Sequence, residues 1–532
     1  MFWAIENNVQ KQLTFSAIFY IIQQTSLSGC AVKSKGKKNE RERKMHRTKK
    51  RLAALLATVL LLTLSLVSCT GDEVSQAASQ AESGSGLPVP HLGEADLDGF
   101  QLTFVIDSGD SQFHLSQYSA GELLNEPVND ALYERNQIIQ NTYNCKIDVL
   151  PTVVGYEMMA KIEPMVLAST EDFNVIGSPI LYSADFSKKG YYQNFLELEN
   201  SQLRLDADYW DQGLIRDASV AGTLHFLTGD LLVGDNLALS CIYFNKSLIS
   251  EYGLQSPFDH VRADTWTFDV FSEYVRNNAH DDGDGVMGVD GNDIWGLIGI
   301  PQTLVDVMWG YGLKTTVKDN DDIPHINLRD ETFTTRYAEA FELLSDRNSV
   351  CIDALFFEWN DPDIKKVYEQ FEYGKALFQA STLGYTEDLR DAEISYGIVP
   401  FPKYDENQDQ YYSPTSVYAS GYISIPYYNN DTYETTFILE AMSYLSEKTV
   451  TPEFYERTLK NKRLQDDDSP EMLDLISASR TYDLSIIYTW GDFYVQNTYN
   501  IVAGTNTYTA RVDSIYSSME SAMNDTIALF NQ

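Results

Sequence analysis

The chain has 532 residues, of which 43% are hydrophobic and 12% aromatic, and its formal net charge is −38. The hydrophobic content predicts a globular protein and excludes an acidic disordered chain. The strongly negative charge excludes long-range attraction to the phosphate backbone of nucleic acids. Because the length exceeds what a single hydrophobic core fills, we expect two lobes or more.

The first recognisable segment is an export signal at 45–68. A basic stretch at 49–51 precedes a 16-residue run without charge at 52–67. This run is short for a membrane-spanning helix, which needs about 20 apolar residues, and the layout is typical of a bacterial secretion signal. A single transmembrane anchor is the alternative interpretation.

The signal closes on Leu66-Val67-Ser68-Cys69, which resembles a lipobox, the sequence at which a signal peptidase cuts and a cysteine receives a lipid. The chemistry needs a small residue before the cut, here Ser68, and a thiol, here Cys69. We therefore predict that Cys69 carries a lipid and that the protein works on the extracellular face of a bacterial cell membrane. Removal of 1–68 leaves 27 basic and 74 acidic residues, a net charge of about −47.

Residues 1–44 stand before a signal that belongs at an N-terminus. We interpret them as a mis-called upstream extension, with translation starting at Met45. The alternative is that 27–30 (LSGC), which follows the apolar stretch 15–22, is itself a lipobox. Residues 69–98 hold the acylated cysteine and a linker rich in small and polar residues, which predicts a flexible tether with its ends about 30 Å apart.

Three cysteines remain once Cys30 and Cys69 are set aside, namely Cys145, Cys241 and Cys351. Their spacing is wide and matches no metal-binding pattern. We predict three buried free thiols, with one disulfide between two of them as the alternative. Without a disulfide framework, an exported protein depends on its hydrophobic core for stability.

The segment 100–178 alternates between strand and helix patterns. Apolar, β-rich runs occupy Phe100–Ile106, 145–153 and 173–176, and helical patterns occupy 127–142 and 158–169. Strands that alternate with helices in this order predict a parallel sheet with crossover helices, so the expected fold class is α/β.

Parallel sheets of this kind bind ligands beyond the C-terminal ends of their strands. Asp110 follows the first predicted strand and Ser178 follows the third. Both residues are therefore candidates for ligand binding, and an ordinary loop position is the alternative for each.

Four ordered segments carry a resemblance to a known family: 243–248 (YFNKSL), 265–274 (TWTFDVFSEY), 371–380 (FEYGKALFQA) and 396–402 (YGIVPFP). In this order, behind a lipobox, they resemble extracellular solute-binding proteins of family 1, the lipoprotein receptors of sugar-importing ABC transporters. No single segment is specific, but the ordered series is. The resemblance covers essentially all of 99–532.

The resemblance implies a two-lobed, periplasmic-binding-protein-like fold of type II, in which each lobe is a sheet flanked by helices and a hinge joins the lobes. The first lobe is expected to hold 99–238 and 405–465, and the second 239–404 and 466–532. The resemblance further implies a monomer that takes a sugar or oligosaccharide into the interlobe cleft, requires no cofactor and delivers its ligand to the permease subunits of an ABC transporter.

Two other functions stay open on the sequence. An exported, lipid-anchored glycoside hydrolase would need two carboxylates about 5–10 Å apart, and the many acidic residues offer candidates, but no hydrolase motif such as G-x-S-x-G or H-E-x-x-H occurs. A sensor lipoprotein would use the same fold and cleft with another membrane partner. We predict a binding protein rather than an enzyme.

Sugar receptors hold the C–H faces of their ligands with aromatic rings and the hydroxyls with a few polar side chains. The chain has 34 Tyr and 7 Trp, most of which we expect to be ordinary core or surface residues. We select candidate ligand contacts by where they lie relative to the family's crossings between lobes or near the C-terminus. They are Trp210, Asp230, Asp235, Trp309, Tyr311, Tyr385, Tyr418 and Trp490.

The acidic stretch 280–296 (HDDGDGVMGVDGNDIWG) carries a partial calcium-loop pattern. Asp282 and Asp284 fit a D-x-D-G core, in which alternating carboxylates converge on one hard cation, and Asp290 or Asp293 would complete the site. The positions of the first Asp and the final Glu of an EF-hand are not matched. A structural Ca²⁺ is one interpretation, and a solvated acidic loop is the other.

Overall fold

The computed structural model describes residues 87–107, 117–153, 155–352, 364–455 and 468–531. The predicted export signal, the lipid site Cys69, most of the linker and the ligand candidate Asp110 lie outside the described residues. Within the described ranges, no helix is both long enough and apolar enough to cross a membrane.

The first lobe is built on a four-stranded sheet with the strand order β12-β3-β1-β2. β1 (Phe100–Ile106) pairs in parallel with β2 (Cys145–Pro151) along its whole length and with β3 (Val175–Ser178) on its other side. β12 (Tyr422–Ser424) adds an antiparallel edge. The last three residues of β1 are buried, as expected for a central strand covered on both faces. The predicted parallel sheet is confirmed, and its antiparallel edge was not predicted.

The second lobe is built on a five-stranded mixed sheet with the order β10-β4-β9-β5-β8. Its strands are β4 (Ser240–Asn245), β5 (Trp295–Ile298), β8 (Val350–Cys351), β9 (Ala376–Thr382) and β10 (Tyr396–Val399). β4 runs antiparallel to both of its neighbours, whereas β5 runs parallel to both of its own. Every residue of β4 is buried, as is every residue of β5, so both strands that flank the middle strand β9 lie in the interior of the lobe.

Two short strand pairs complete the described sheets. β6 (Thr316–Lys318) and β7 (Pro324–Ile326) form an antiparallel ribbon in the second half of the chain. β11 (Ser413–Pro414) and β13 (Arg480–Thr481) pair in parallel. The second pair ties the segment that returns to the first lobe to the C-terminal part of the chain.

The helices flank both sheets and begin and end with local signals. In α1, Pro127 is the first helical residue, the Glu126 side chain accepts a hydrogen bond from Asn129 N, and Asn144 ends the helix in the left-handed conformation. The described helices are α1 (Pro127–Tyr143), α2 (Tyr156–Leu167), α3 (Ile180–Lys188), α4 (Gln212–Ala218), α5 (Lys246–Glu251), α6 (Pro257–Arg262), α7 (Phe268–Asn277), α8 (Thr303–Gly310), α9 (Glu331–Leu344), α10 (Ile364–Glu372), α11 (Thr432–Lys448), α12 (Val450–Pro452), α13 (Ser469–Ala478), α14 (Leu484–Ile487), α15 (Phe493–Ala503) and α16 (Tyr508–Phe530).

The chain crosses between the two sheets repeatedly. It enters the second sheet through the 3₁₀ segment Asp230–Ala238, which leads directly into β4. It returns after β10, passes β11 and pairs with the first sheet as β12. It then leaves the first lobe again, because α11 packs on β1 whereas α13 packs on β10. Several segments of the chain therefore connect the two lobes. The lobe boundaries given in the sequence analysis stay predictions.

The C-terminal helix α16 contacts both lobes. Near its start, Tyr508 packs on Tyr337 of α9 with the ring centroids 4.3 Å apart. At its end, Phe530 packs edge-on against His225, with centroids 4.9 Å apart, and its carbonyl accepts a hydrogen bond from Thr223 Oγ1 at 3.3 Å. His225 belongs to the first lobe, since its carbonyl accepts a hydrogen bond from Ser424 of β12. A helix of 23 residues is about 34 Å long, enough to span the junction.

The three cysteines of the folded body are buried and outside any disulfide, which confirms the prediction of buried thiols. Cys241 lies in β4, and Cys145 and Cys351 lie in β2 and β8. Burial raises the pKa of the Cys145 thiol to about 11, so it stays protonated and unreactive at neutral pH.

Candidate functional site

The C-terminal ends of the first-lobe strands form one wall of a candidate cleft. Asp107 follows β1, Gly155 and Tyr156 follow β2, and Ser178 closes β3. The buried Asp107 accepts a hydrogen bond through Oδ2 from Gly155 N at 2.6 Å, which ties the ends of β1 and β2 together. This is the edge at which a parallel sheet binds its ligands.

Two tyrosines stand on this wall. Tyr156 begins α2 and Tyr182 lies in the first turn of α3, and their rings meet edge to face with centroids 4.7 Å apart. Gly155 directly precedes Tyr156 and has a φ of +61°, which disfavours other residues at this position. The Tyr156 side chain is 57% exposed, so one of the two rings is open to solvent.

A second wall surrounds a small cavity of about 50 Å³. The second lobe supplies Asp306 and Trp309 from α8, Ser240 from the start of β4 and Thr382 from the end of β9. Tyr494 of α15, Ile486 of α14 and the returning segment 415–418 line it from the other side. The cavity therefore lies where the second sheet, the return crossing and a C-terminal helix meet.

Tyr418, on the return crossing, packs against the C-terminal part of the chain. Its ring lies 6.2 Å from that of Tyr494. Burial raises the pKa of Tyr418, and the tyrosines Tyr156 and Tyr182 of the first lobe add a smaller electrostatic contribution in the same direction. The crossing and a C-terminal helix thus each supply an aromatic ring to the lining of the cavity.

The polar groups of the second wall are partly or fully shielded from solvent. Burial raises the pKa of Asp306 to about 7, although a hydrogen bond with Ser240 opposes the shift. The indole nitrogen of Trp309 is buried and has no hydrogen-bond partner within the described part of the chain. A donor without an acceptor in the wall of a cavity can be satisfied by a ligand oxygen.

The site therefore combines flat apolar surfaces with buried polar groups. The faces of tyrosine rings suit the C–H face of a ring-shaped ligand, and an indole N–H and a carboxyl suit hydroxyl groups. No residue set in the site points to a metal or redox cofactor.

Comparison with known proteins gives matches in structure only. No protein-family profile and no curated protein matches the chain in sequence. A cyclo/maltodextrin-binding protein complexed with maltotetraose matches with a TM-score of 0.51 at 13% identity, over 85% of this chain and 98% of its own. A sugar transporter protein from Rhizobium etli in an open conformation matches with a TM-score of 0.51 at 12% identity, over 80% and 99%. A maltose-binding periplasmic protein from Listeria monocytogenes in complex with maltose matches with a TM-score of 0.50 at 13% identity, over 80% and 98%.

The chain has the fold of a periplasmic sugar-binding protein. The coverage of these structures is nearly complete, so the likeness extends over both lobes. It confirms the α/β, two-lobed architecture that the family resemblance implied.

Within this sugar-binding-protein fold, three of the nominated residues lie at the cleft. Trp309 and Tyr418 share the lining of the small cavity. Ser178 closes β3 in the opposite wall, where its hydroxyl donates to the carbonyl of Pro179 at 3.1 Å and is buried. Ser178 therefore shapes the strand end, and its side chain is already occupied.

Three nominated aromatic residues lie in the interior. Tyr311 is 1% exposed and packs on Phe268 with centroids 5.3 Å apart. Tyr385 is buried and donates its hydroxyl to the carbonyl of Tyr368 at 3.2 Å. Trp490 is buried against α16, where its indole N–H donates to Thr526 Oγ1 at 3.1 Å.

Three further nominated residues, Trp210, Asp230 and Asp235, line a different cavity of about 450 Å³. Arg480 also lines it, and its Nη1 lies 2.7 Å from Asp235 Oδ2. This cavity and the cleft cavity have no lining residue in common. The structure thus separates the nominated residues into a cleft group, an interior group and a second-cavity group.

The residues that sequence reasoning missed are Asp107, Tyr156, Tyr182, Asp306 and Tyr494. The first three follow the ends of parallel strands, so the rule that nominated Asp110 and Ser178 could have found them. Asp306 and Tyr494 lie within helices and carry no local signal, since only the tertiary fold brings α8 and α15 to the same cavity.

The acidic loop brings together a different triad from the one nominated. Asp281, Asp282 and Asp284 each place a carboxylate oxygen within 4.8 Å of the others, and all three are exposed. Asp293 is buried, and its two oxygens accept hydrogen bonds from Asp282 N at 2.8 Å and Gly288 N at 2.6 Å. Asp290 points instead to Lys366, with an N–O distance of 3.4 Å. A cation would be held by the exposed triad, while Asp293 shapes the loop.

Proposed function

We propose that this chain is an extracellular receptor that captures a saccharide between its two lobes. The observation that carries the proposal is a pair of aromatic contacts: Tyr156 and Tyr182 meet at the strand ends of the first lobe, and Tyr418 and Tyr494 line a cavity beside Asp306 and Trp309 of α8. The fold of periplasmic sugar-binding proteins supports it.

Capture follows from hinge motion about the crossing segments. A ligand that stacks on Tyr156 and Tyr182 in the open form gains the contacts of α8 and α15 only when the lobes approach, so it favours closure. Closure then excludes water from hydroxyl groups that must find partners in the walls, because an unpaired buried polar group costs about 1–3 kcal/mol. Selectivity for one saccharide would come from that pairing.

The first ligands to test are α-linked gluco-oligosaccharides. Two of the matching structures hold maltotetraose and maltose, respectively. Tyr156 and Tyr182 form one ring pair and Tyr418 and Tyr494 another, so a ligand that contacts both pairs needs more than one sugar unit, and we expect an oligosaccharide to bind more tightly than a monosaccharide.

We further propose that the receptor is anchored by a lipid at Cys69 and passes its ligand to an ABC permease. The lipobox-like tetrad supports the anchor. Replacement of Cys69 by Ala is then expected to move the protein from the membrane fraction to the medium. Retention of the variant in the membrane fraction would contradict the anchor without affecting the binding proposal.

The binding proposal is tested by thermal shift and calorimetry of the purified chain with a panel of mono- and oligosaccharides. A ligand present at 100 times its Kd adds about 2.7 kcal/mol of stability, which a melting curve resolves. Recovery of the saccharide unchanged after incubation separates a receptor from a glycoside hydrolase, whereas its cleavage would overturn the receptor assignment.

A matched pair of variants locates the site. Tyr156→Ala removes an exposed ring from the cleft and is expected to weaken saccharide binding about tenfold or more, since stacking on an aromatic face is lost. Tyr373→Ala removes a ring that is 66% exposed and lies at the end of α10, away from the cleft. Equal affinities for Tyr156→Ala and Tyr373→Ala would place the ligand elsewhere.

A further inference from the structure

The cavity that holds Trp210 and Arg480 is a second concave site, separate from the cleft. It lies between the loop 208–213 that leads into α4, the crossing segment Asp230–Ala238, and the turn from α13 into β13. Its volume of about 450 Å³ is in the range of small-molecule sites, about 300–1,000 Å³. It therefore has room for a ligand of several heavy atoms.

The lining of this cavity is unbalanced in charge. Arg480 is the only basic residue among the described residues that line it. The acidic lining residues are Asp208, Asp211, Asp230, Asp235 and Asp474. The lining therefore carries more acidic than basic side chains.

Arg480 is already fully engaged. Its Nη1 contacts Asp235 Oδ2 at 2.7 Å and Asp211 Oδ2 at 3.3 Å, and its Nη2 donates to Asn236 Oδ1. Asp211 receives further hydrogen bonds from Tyr482 Oη at 2.6 Å and from Leu214 N at 3.0 Å. Arg480 therefore bridges Asp235 and Asp211, so its one positive charge is shared between two of the five acidic residues that line the cavity.

Asp235 has a carboxylate oxygen that lacks a hydrogen-bond donor in the described part of the chain. Its side chain is 1% exposed, and its Oδ1 has no hydrogen-bond partner among the described residues, although Oδ2 is bound by Arg480 and by Thr228 Oγ1 at 3.2 Å. Burial raises the pKa of Asp235 to about 6 and that of Asp230 to about 7, even though Arg480 opposes both shifts. A cationic donor would relieve this desolvation and would pair the free oxygen.

The geometry favours an organic cation over a bare metal ion. Within the described ranges, a triad of acidic side chains with converging oxygens occurs at Asp281, Asp282 and Asp284 and not in this cavity. The cavity is also larger than a coordination sphere, and Tyr209 and Tyr455 supply ring surface beside its carboxylates. Ring faces and carboxylates together suit an ammonium group on a short alkyl chain.

We propose that this cavity is a second ligand site, for a small organic cation of the primary amine or diamine class, whose N–H groups donate to Asp235 and Asp230. The site is independent of the saccharide proposal, because it uses no residue of the cleft cavity.

The test is calorimetric titration of the full chain at pH 8 and 0.15 M NaCl, where long-range attraction is screened over about 8 Å. The probe is 1,4-diaminobutane, and 1,4-butanediol and calcium chloride are the comparison ligands. We expect saturable binding of one diamine per chain, no binding of the diol, and no displacement of the diamine by millimolar calcium.

Variants assign the binding to the cavity. Asp235→Asn is expected to weaken diamine binding at least tenfold, and Asp208→Asn, at the exposed rim, about threefold. Asp281→Asn, an equal change of charge in the exposed loop, should leave it unchanged. If Asp235→Asn does not fold, Asp208→Asn decides. The proposal is overturned if no diamine binds at 10 mM, if the diol binds equally well, or if Asp208→Asn and Asp281→Asn behave alike.

Discussion

Among single residues, Asp306 has the clearest consequence for stability. Its pKa is about 7 in the folded protein and ordinarily 3.8, so between these values the folded state binds more protons than the unfolded state. Its contribution to the free energy of unfolding therefore falls as the pH rises from about 4 to 7, and is constant above. Asp230 and Asp235 act in the same direction.

We expect Asp306→Asn to stabilise the protein at pH 8 by about 1–3 kcal/mol and to have little effect at pH 3, where the carboxyl is neutral in the folded state and mostly neutral in the unfolded state. Urea unfolding at the two pH values checks this. The same gain at both would mean that the amide stabilises by packing and that ionisation of Asp306 plays no part.

Glu440 is a second residue whose replacement has a clear expected cost. It is 0% exposed, and its carboxylate accepts hydrogen bonds from Tyr209 Oη, Trp210 Nε1 at 3.1 Å and the backbone N of Arg204 at 3.1 Å. His91 Nε2 lies 2.9 Å from its Oε1. One buried carboxylate thus joins the N-terminal segment, the loop before α4 and helix α11.

We expect Glu440→Gln to lower the free energy of unfolding by about 2–4 kcal/mol, because the amide NH₂ would face donors that a carboxylate satisfies. Glu434→Gln, in the first turn of the same helix and partly exposed, should cost less than about 1 kcal/mol. Denaturant melts of the two variants give the comparison. A similar cost for both would show that the Glu440 hydrogen bonds contribute little.

At the scale of single elements, calcium binding by the acidic loop 280–296 can be measured directly. Its three converging carboxylates are exposed, and their oxygens also accept backbone N–H groups, as when Asp281 Oδ1 binds Gly283 N at 2.7 Å. A site with so few dedicated ligands resembles the weak calcium sites of extracellular modules, with a Kd of about 10⁻⁴–10⁻³ M. We expect calcium binding in that range, lost in Asp281→Asn and measured by calorimetry. Submicromolar affinity would contradict this.

The strands of the first sheet were predictable because their signal is local. Phe100–Ile106 was predicted with its observed bounds, and 145–153 and 173–176 overlap β2 and β3 within a few residues. Short apolar runs that alternate with helical patterns are typical of buried strands in an α/β fold. The edge strand β12 was missed, because only the chain's return from the second lobe brings it there.

The cleft was harder to predict than the sheet that supports it. Tyr311 and Tyr385 are aromatic residues in the right stretch of chain, yet both lie in the second-lobe interior, whereas Tyr494 reaches the cavity from α15. Residue type and position along the chain cannot distinguish a ring in the core from a ring in a cleft. That distinction depends on how the lobes and crossings pack, which no local pattern encodes.

At the scale of the whole molecule, α16 couples the two lobes. Because Tyr508 is held by α9 and Phe530 by His225 and Tyr488, the helix resists separation of its two contact points. We expect Phe530→Ala to cost about 1–3 kcal/mol through lost packing and to speed hydrogen exchange at the C-terminal end of α16. Glu520→Ala, an exposed change in the same helix, is the control. Unchanged exchange in Phe530→Ala would mean that this contact does not restrain the helix.

The way in which residues 89–97 are held has a mechanical consequence. Val89 is fully buried, His91 contacts Glu440 of α11, and Leu97 N donates to the carbonyl of Tyr143 at 2.8 Å. If the lipid proposed at Cys69 anchors the chain, tension on the linker reaches the first lobe through these contacts with α1 and α11. The second lobe then carries no direct load and is the lobe that moves when the protein closes on a ligand.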